Sequence, residues 1–374
     1  MTTTPPAEIG MPLEEVDTPA LLIDLDAFDR NIETLAAMTK KFGVRLRPHA
    51  KTHKSPVIAL RQMAHGAVGQ CCQKVGEAEV LVAGGVPDVL VTNQIVGRRK
   101  LERLAAISKQ AHVGVCADNA ENVAEINAAA AHFNTTIEVL VEIDLGMGRC
   151  GVQAGQPALD LAKIIAGSSN LNFGGLQCYH GSAQHVQGFS ERRAVIAKAG
   201  ETVAGTVALL KENGLDCRLV TGAGTGTFPF EASSGIWNEV QCGSYIFMDA
   251  DYGRILMEDG EEISTFENSL FVWVTVMSRP SREVAVVDAG LKSFAVDSGM
   301  PRVWQVEDTV YERASDEHGK LILGTGAPEL PLGSKIKLIP GHCDPTVNLF
   351  DWYVGIRAGK VEALWSVAAR GAST

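Results

Sequence analysis

The chain has 374 residues, of which 46% are hydrophobic and 21% charged, and its formal net charge is -11. That composition supports a core large enough for two domains and excludes disorder as the main state. With 33 basic residues against 44 acidic ones and no basic block, nucleic acid is not expected as a partner.

The first apolar run is Ala20–Leu25, ahead of a long helical pattern. Eight β-type runs follow: Val44–His49, Ala67–Gln73, Asp88–Asn93, His112–Ala117, Thr136–Ile143, Leu171–Tyr179, Cys217–Thr221 and Glu239–Met248. Most are about 20 to 30 residues apart, the spacing of a strand plus a crossover helix. Amphipathic stretches such as Glu121–Phe133, Pro157–Ile165 and Ser190–Leu215 lie between them. Eight such units read as an α/β fold, a (β/α)8 TIM barrel over residues 26–250. A doubly wound open sheet is the alternative, weakened because no Gly-x-Gly-x-x-Gly follows the first run. After residue 262 the texture changes. Leu270–Met277, Glu283–Asp288, Lys335–Ile339, Tyr353–Ile356 and Lys360–Trp365 are strand-like, and turn residues replace long helices. A C-terminal β-rich domain over residues 251–374 is expected, joined by the N-terminal segment 1–25.

No run of about 18 apolar residues occurs, and Met1–Met11 lacks a basic start followed by an apolar stretch, so neither membrane nor secretion is expected. Eight cysteines show no spaced framework, and some sit in apolar runs such as Val113–Cys116. They read as buried free thiols of a cytoplasmic protein.

Barrel active sites gather at the C-terminal ends of the strands. Those ends carry the polar clusters Arg47–Lys54, Cys72–Lys74, Asp144–Arg149, Tyr179–His185 and Thr221–Thr227. The glycine-rich stretch Gly222–Thr227 can cradle a phosphate or simply turn the chain. His49, Lys51 and His53 alternate, so on an extended segment they share a face. A lysine beside other cationic groups has a lowered pKa and becomes an amine nucleophile; the plain alternative is a surface lysine. A lysine and a phosphate cradle on one rim suggest a pyridoxal phosphate Schiff base. Near the C-terminus His342 and Asp344 alternate, offering imidazole and carboxylate to a divalent metal with positions left open, or else forming a capped turn.

Taken together, Arg47–Lys51, Cys71–Lys74, Gly148–Val152, Gly222–Gly226, Gln241–Tyr245, Asp288–Lys292 and His342–Thr346 resemble the metal-activated, pyridoxal-phosphate-dependent D-threonine aldolase and D-serine dehydratase family. The resemblance spans nearly the whole chain and implies an alanine-racemase-like barrel with a C-terminal β domain. It implies that Lys51 carries the cofactor and that Arg149, Tyr179 and Gln73 surround its ring. Gly222, Gly224, Thr225 and Tyr245 fall in the phosphate cup, His342 and Asp344 in the metal pair, and His185 at the place of the base near the substrate hydroxyl. The chain departs from the family at Ala223, where relatives commonly carry a glycine and a positive φ would disfavour alanine.

The dehydratase branch resembles His-x-Cys, whereas Asp344 matches the aldolases and favours manganese or magnesium, with zinc as the alternative. The implied reaction is retro-aldol cleavage of a small-molecule D-3-hydroxy amino acid to glycine and an aldehyde, by a homodimer. Alternatives are a 3-hydroxy-D-aspartate aldolase giving glyoxylate, a D-serine or D-3-hydroxyaspartate dehydratase, a racemase, and a non-catalytic cofactor carrier. Ser315–Gly319 is left without a role.

Overall fold

The computed structural model describes residues 4–374. Ala20–Asp24 (β1) runs straight into the helix Leu25–Phe42 (α1), which Asp24 caps by accepting a 3.1 Å hydrogen bond from the Ala27 N–H. Gly43, at φ 71°, ends the helix in the left-handed conformation that glycine tolerates best. Between them Phe28, Ile32 and Leu35 form one buried stripe at helical spacing.

Each of the eight β-type runs gives one parallel strand. They are Arg45–Leu46 (β2), Gln70–Cys72 (β3), Asp88–Gln94 (β4), His112–Ala117 (β5), Ile137–Glu142 (β6), Leu171–Cys178 (β7), Leu219–Gly222 (β8) and Glu239–Val240 (β9). The helices between them are Pro56–Ala64 (α2), Val75–Ala83 (α3), Arg98–Ile107 (α4), Ala120–His132 (α5), Gln156–Ala166 (α6), Phe189–Glu212 (α7) and Phe228–Ser233 (α8). Neighbours follow chain order from β3 to β9, and β9 pairs with β2. A parallel bridge from His49 to Cys71 and a 2.8 Å bond from Val68 N–H to the Leu46 carbonyl join the first strand's extension to the second. The circuit therefore closes, as the barrel reading expects and an open sheet would not. β2 is short because Pro48 has no N–H to donate to a ladder.

Side chains alternate along the strands. Val89 and Val91 pack outward with helix residues such as Leu101 and Leu104, whereas Leu90 joins Cys71, Cys116, Leu140 and Leu219 in a separate inner cluster. Also buried, Arg47 donates through Nε to Glu239 at 3.0 Å and pairs with Asp88.

The second sheet contains Leu270–Ser281 (β10), Val284–Val287 (β11), Arg302–Val303 (β12), Thr309–Ala314 (β13), Gly319–Leu323 (β14), Lys335–Ile339 (β15), Trp352–Arg357 (β16) and Lys360–Ser366 (β17). A short helix, Cys343–Val347 (α9), separates β15 from β16. β1 lies inside this sheet, antiparallel to β10 and parallel to β16. The two units share one core. Phe28 of α1, Phe247 after the last barrel strand and Tyr353 of β16 stack in series at centroid distances of 6.3 and 5.8 Å. The β13–β14 hairpin has no counterpart among the strand-like runs, because only Tyr311 of β13 is buried and its other residues face solvent at least in part. Ser315–Gly319 is the turn of that hairpin, held to the neighbouring loop by Leu291 N–H to the Ser315 carbonyl at 2.7 Å.

Candidate active site

The C-terminal ends of the barrel strands converge on one cavity lined by His49, Lys51, Gln73, Thr92, Arg149 and Tyr179 on one side. Gln177, Ala223, Gly224, Thr225, Gln241, Gly243, Ser244 and Tyr252 complete its wall. The segment after Pro48 does not stay extended. The N–H groups of His53 and Lys54 both return to the Ala50 carbonyl, at 3.1 and 2.7 Å, so the chain turns at Lys51. His49 and Lys51 therefore face the cavity, but His53 does not share their face. It is fully buried, its Nδ1 accepts from Ser55 N–H at 3.1 Å, and burial pushes its pKa down to about 4.

His49 Nδ1 accepts from the Lys51 N–H at 3.3 Å, and its Nε2 lies 3.0 Å from Thr92 Oγ1 and 3.1 Å from Gln73 Nε2. Burial, reinforced by the Lys51 charge, holds the ring well below its ordinary pKa and so neutral. Glu77, in the first turn of α3, fixes Gln73 by accepting from the Gln73 and Lys74 N–H groups at 2.8 and 3.1 Å. The Arg149 guanidinium lies 6.0 Å from the centroid of the Tyr179 ring. Gln177 and Gln241 exchange amide hydrogen bonds of 3.0 and 2.8 Å across the cavity floor.

Opposite Lys51, the turns after β8 and β9 lie side by side. The backbone N–H groups of Gly224, Thr225, Gly243 and Ser244 have no protein acceptor among the described residues. A Cβ on Gly224 would fall 2.5 Å from Gln184 Oε1, and one on Gly243 would fall 2.5 Å from Thr52 Oγ1. Glycine is what lets both backbones approach this closely. Four free donors at one end and an amine at the other fit a small ring carrying a phosphate. Ala223 adopts φ 65°, a left-handed conformation that costs alanine energy.

From the second unit, Asp344 reaches across to pair with Lys51. His342 occupies the N-cap position of α9, without a side-chain capping bond, and Asp344 sits in its first turn, so the pair lies at a helix start and not on an extended strand. Burial works against charge on both partners, yet each carries enough opposite charge to overcome it. Lys51 is held above the ordinary lysine range and Asp344 below the ordinary carboxylate range. This reverses the lowered lysine pKa expected from neighbouring cations, because the nearest charge is a carboxylate. His342 Nδ1 lies 2.7 Å from Asp297 Oδ2. Cys343 is buried, which pushes its thiol far above the usual range. Among the described residues no group of three or more His, Cys, Asp and Glu side chains could hold a metal.

Lys51, Gln73, Arg149, Tyr179, Gly224 and Thr225 thus share one cavity, with Asp344 at its edge. Gly222, Tyr245 and His185 are placed differently. A Cβ on Gly222 would lie 2.2 Å from the Cys178 carbonyl oxygen, so that glycine serves contact between β8 and β7. The Tyr245 ring is fully buried against Phe266 at 5.4 Å, and its hydroxyl accepts from Gln62 at 3.0 Å, so its side chain does not face the cavity. Its N–H donates to Thr225 Oγ1 at 3.0 Å and supports the cup from behind. His185 is 58% exposed and pairs through Nδ1 with Asp251 at 2.9 Å. Thr92, Gln177, Gln241, Ser244 and Tyr252 were not singled out as site residues by the sequence. The signal for four of them is a polar residue at or just beyond the end of a barrel strand; Tyr252, on a later loop, has none.

The barrel half matches the alanine racemase N-terminal domain over residues 23–251, and the second half matches a "Putative serine dehydratase domain" over residues 269–356. The chain is 47% identical over 370 residues to a 3-hydroxy-D-aspartate aldolase of Paracoccus denitrificans, covering 98% of this chain and 95% of that protein. It is 44% identical to a D-threonine aldolase of an Arthrobacter species, covering 99% and 97%. The crystal structure of a D-threonine aldolase from Filomicrobium marinum superposes with a TM-score of 0.96 at 49% identity, covering all of both chains. A closed barrel with a cavity at its strand ends, a carboxylate of the second unit paired at its edge, and these full-length likenesses lead to one assignment: the chain belongs to the alanine racemase N-terminal domain family, in the group that includes the D-threonine and 3-hydroxy-D-aspartate aldolases.

Proposed function

We propose that this protein is a carbon–carbon lyase that cleaves D-3-hydroxy amino acids, of the D-threonine type, to glycine and an aldehyde. The observation that carries the reading is the meeting of Lys51 with Asp344 in one cavity, which joins an amine nucleophile to the candidate metal pair. Pyridoxal phosphate fits the cavity, and when bound it supplies an electron sink for the carbanion left at Cα. Lys51 is the residue to which it would attach, Gly224 and Thr225 would receive its phosphate, and Arg149, Tyr179 and Gln73 would flank its ring. His342 and Asp344 would hold manganese or magnesium, with zinc as the alternative, and lower the pKa of the substrate 3-hydroxyl.

His185 then takes the 3-hydroxyl proton as general base. The oxygen's electron pair forms the aldehyde carbonyl, the Cα–Cβ bond breaks, and a proton returned to Cα gives glycine. Lys51, whose amine lies in the same cavity, would return that proton. Relatives of both names make glyoxylate as well as acetaldehyde a reasonable product. Dehydration is disfavoured, since Asp344 stands where that branch resembles a thiolate. We further infer a cytoplasmic homodimer acting on small molecules, with neither nucleic acid nor membrane; no described helix is long and apolar enough to cross one.

Paired variants test this reading. Lys51→Ala is expected to lose the visible absorbance of bound cofactor. Asp344→Ala is expected to keep it while D-threonine cleavage falls by more than the roughly 10- to 100-fold cost of losing an outer-shell metal partner. Retention of the absorbance in Lys51→Ala would assign the wrong lysine.

A further inference from the structure

The loop Asp249–Arg254 connects the barrel to the second unit and is pinned from both sides. Ala250 N–H donates to the Pro340 carbonyl at 3.0 Å. The buried Asp249 accepts from Tyr252 N–H at 2.9 Å and from Cys343 N–H at 2.8 Å. Arg254 donates through Nε to the Ala250 carbonyl at 3.0 Å and through Nη2 to the Ser298 carbonyl. What this framework presents outward is Asp251. Its Oδ2 lies 2.9 Å from His185 Nδ1, and its Oδ1 lies 3.7 Å from Arg254. The Tyr252 ring lies at a centroid distance of 6.5 Å from the imidazole, and that tyrosine also lines the cavity.

His185 is more than half exposed, so packing alone does not orient its ring. A carboxylate can only accept, so its partner nitrogen must carry the proton. Nδ1 is therefore the N–H, and of the two neutral tautomers this selects the one whose lone pair is on Nε2. We propose that Asp251 is a positioning residue for the reaction, fixing His185 in the tautomer whose Nε2 takes the substrate 3-hydroxyl proton. The inference rests on the reading of His185 as base. When Nε2 gains that proton, the imidazolium stays paired with Asp251, while the oxygen's electrons go to the new carbonyl. Arg254, clamped to Ala250 and Ser298, adds a longer ion pair of 3.7 Å to the same carboxylate.

The test uses nitrogen-labelled holoenzyme and long-range proton–nitrogen correlation spectra, with His185→Gln to assign the signals. Wild type is expected to show His185 protonated at Nδ1 and bare at Nε2. In Asp251→Asn the tautomer should redistribute, and kcat on D-threonine should fall about 10- to 100-fold, as for lost second-sphere partners. KM and the cofactor absorbance should stay within about twofold, and Asp251→Glu should recover part of kcat. Unchanged spectra and unchanged kcat in Asp251→Asn, with His185→Gln inactive, would overturn the positioning role alone. Full kcat in His185→Gln would instead remove His185 as the base, and the role of Asp251 with it.

Discussion

Lys51 and Asp344, 293 residues apart in the chain, form an ion pair that ties the barrel rim to the second sheet. Burial alone would lower the basicity of the amine, but the carboxylate more than offsets it and keeps Lys51 protonated above the ordinary lysine range. An amine must lose its proton before it can attack a carbonyl, so the pair restrains the nucleophile until Asp344 has another cation to face. Removing the carboxylate takes away the largest charge opposing burial and lowers the lysine pKa. Asp344→Asn apoenzyme should therefore take up pyridoxal phosphate fastest at a lower pH than wild type, read as absorbance growth between about pH 7 and 10. Identical pH profiles would show that Asp344 does not control the amine.

Ala223 is held at φ 65° inside the candidate phosphate turn and is 1% exposed. The left-handed conformation costs alanine about 1 to 2 kcal/mol, while glycine adopts it freely at some cost in unfolded-state entropy. Ala223→Gly is expected to stabilise the protein by on the order of 0.5 to 1 kcal/mol in chemical denaturation. A loss of stability would mean that the Ala223 methyl packs more favourably than its backbone is strained.

Glu231 lies beneath the same turn, fully buried, accepting from Thr227 Oγ1 at 2.7 Å. Burial pushes its carboxyl up to about 7 from an ordinary 4.5. An acid raised on folding makes the native state hold a proton the unfolded chain releases. Stability is then undiminished below the unfolded value of about 4.5 and falls as pH rises toward 7, by roughly 3 kcal/mol in all. Glu231→Gln cannot ionise. Denaturation of both proteins at pH 5 and 8 should show wild type losing ground to the variant at the higher pH, and parallel behaviour would contradict the assignment.

Arg47 is 2% exposed and shared between Glu239 and Asp88, so its guanidinium closes the first strand against the last. Arg47→Met keeps most of the side-chain volume but takes the buried cation from two carboxylates, leaving Glu239 to Arg45 and Thr221 and Asp88 to His112. Leaving a buried charge uncompensated costs about 3 to 5 kcal/mol, and with these partners remaining urea denaturation should show a loss at or below the lower end of that range. A loss below about 1 kcal/mol would place the pair in effective contact with solvent.

The barrel was readable because each strand is a short apolar run ending in a polar residue, and Lys51, Gln73, Arg149, Tyr179 and Thr225 sit just where those runs stop. Placement that depends on a turn was not. His53 alternates with Lys51 in the chain but is carried away when the segment folds back on Ala50. Tyr245 lies in the glycine-rich neighbourhood of the cradle, yet its ring turns into the core shared with Phe266. Gln177 and Gln241 recognise each other only once β7 and the turn after β9 are brought together, which no local pattern encodes. Asp251 and Asp297 likewise acquire meaning only from the histidines they meet in space. β13 carries no apolar pattern in the sequence, because its alternation buries a single side chain, Tyr311.

The most direct measurement is product identity from D-threonine, with pyridoxal phosphate and manganese present and an EDTA control. Glycine and acetaldehyde in equal amounts, abolished by EDTA and restored by manganese, are the result expected of a metal-dependent aldolase. 2-Oxobutyrate with ammonia would contradict it, and would mean that Asp344 in the metal pair does not direct the chemistry toward carbon–carbon cleavage.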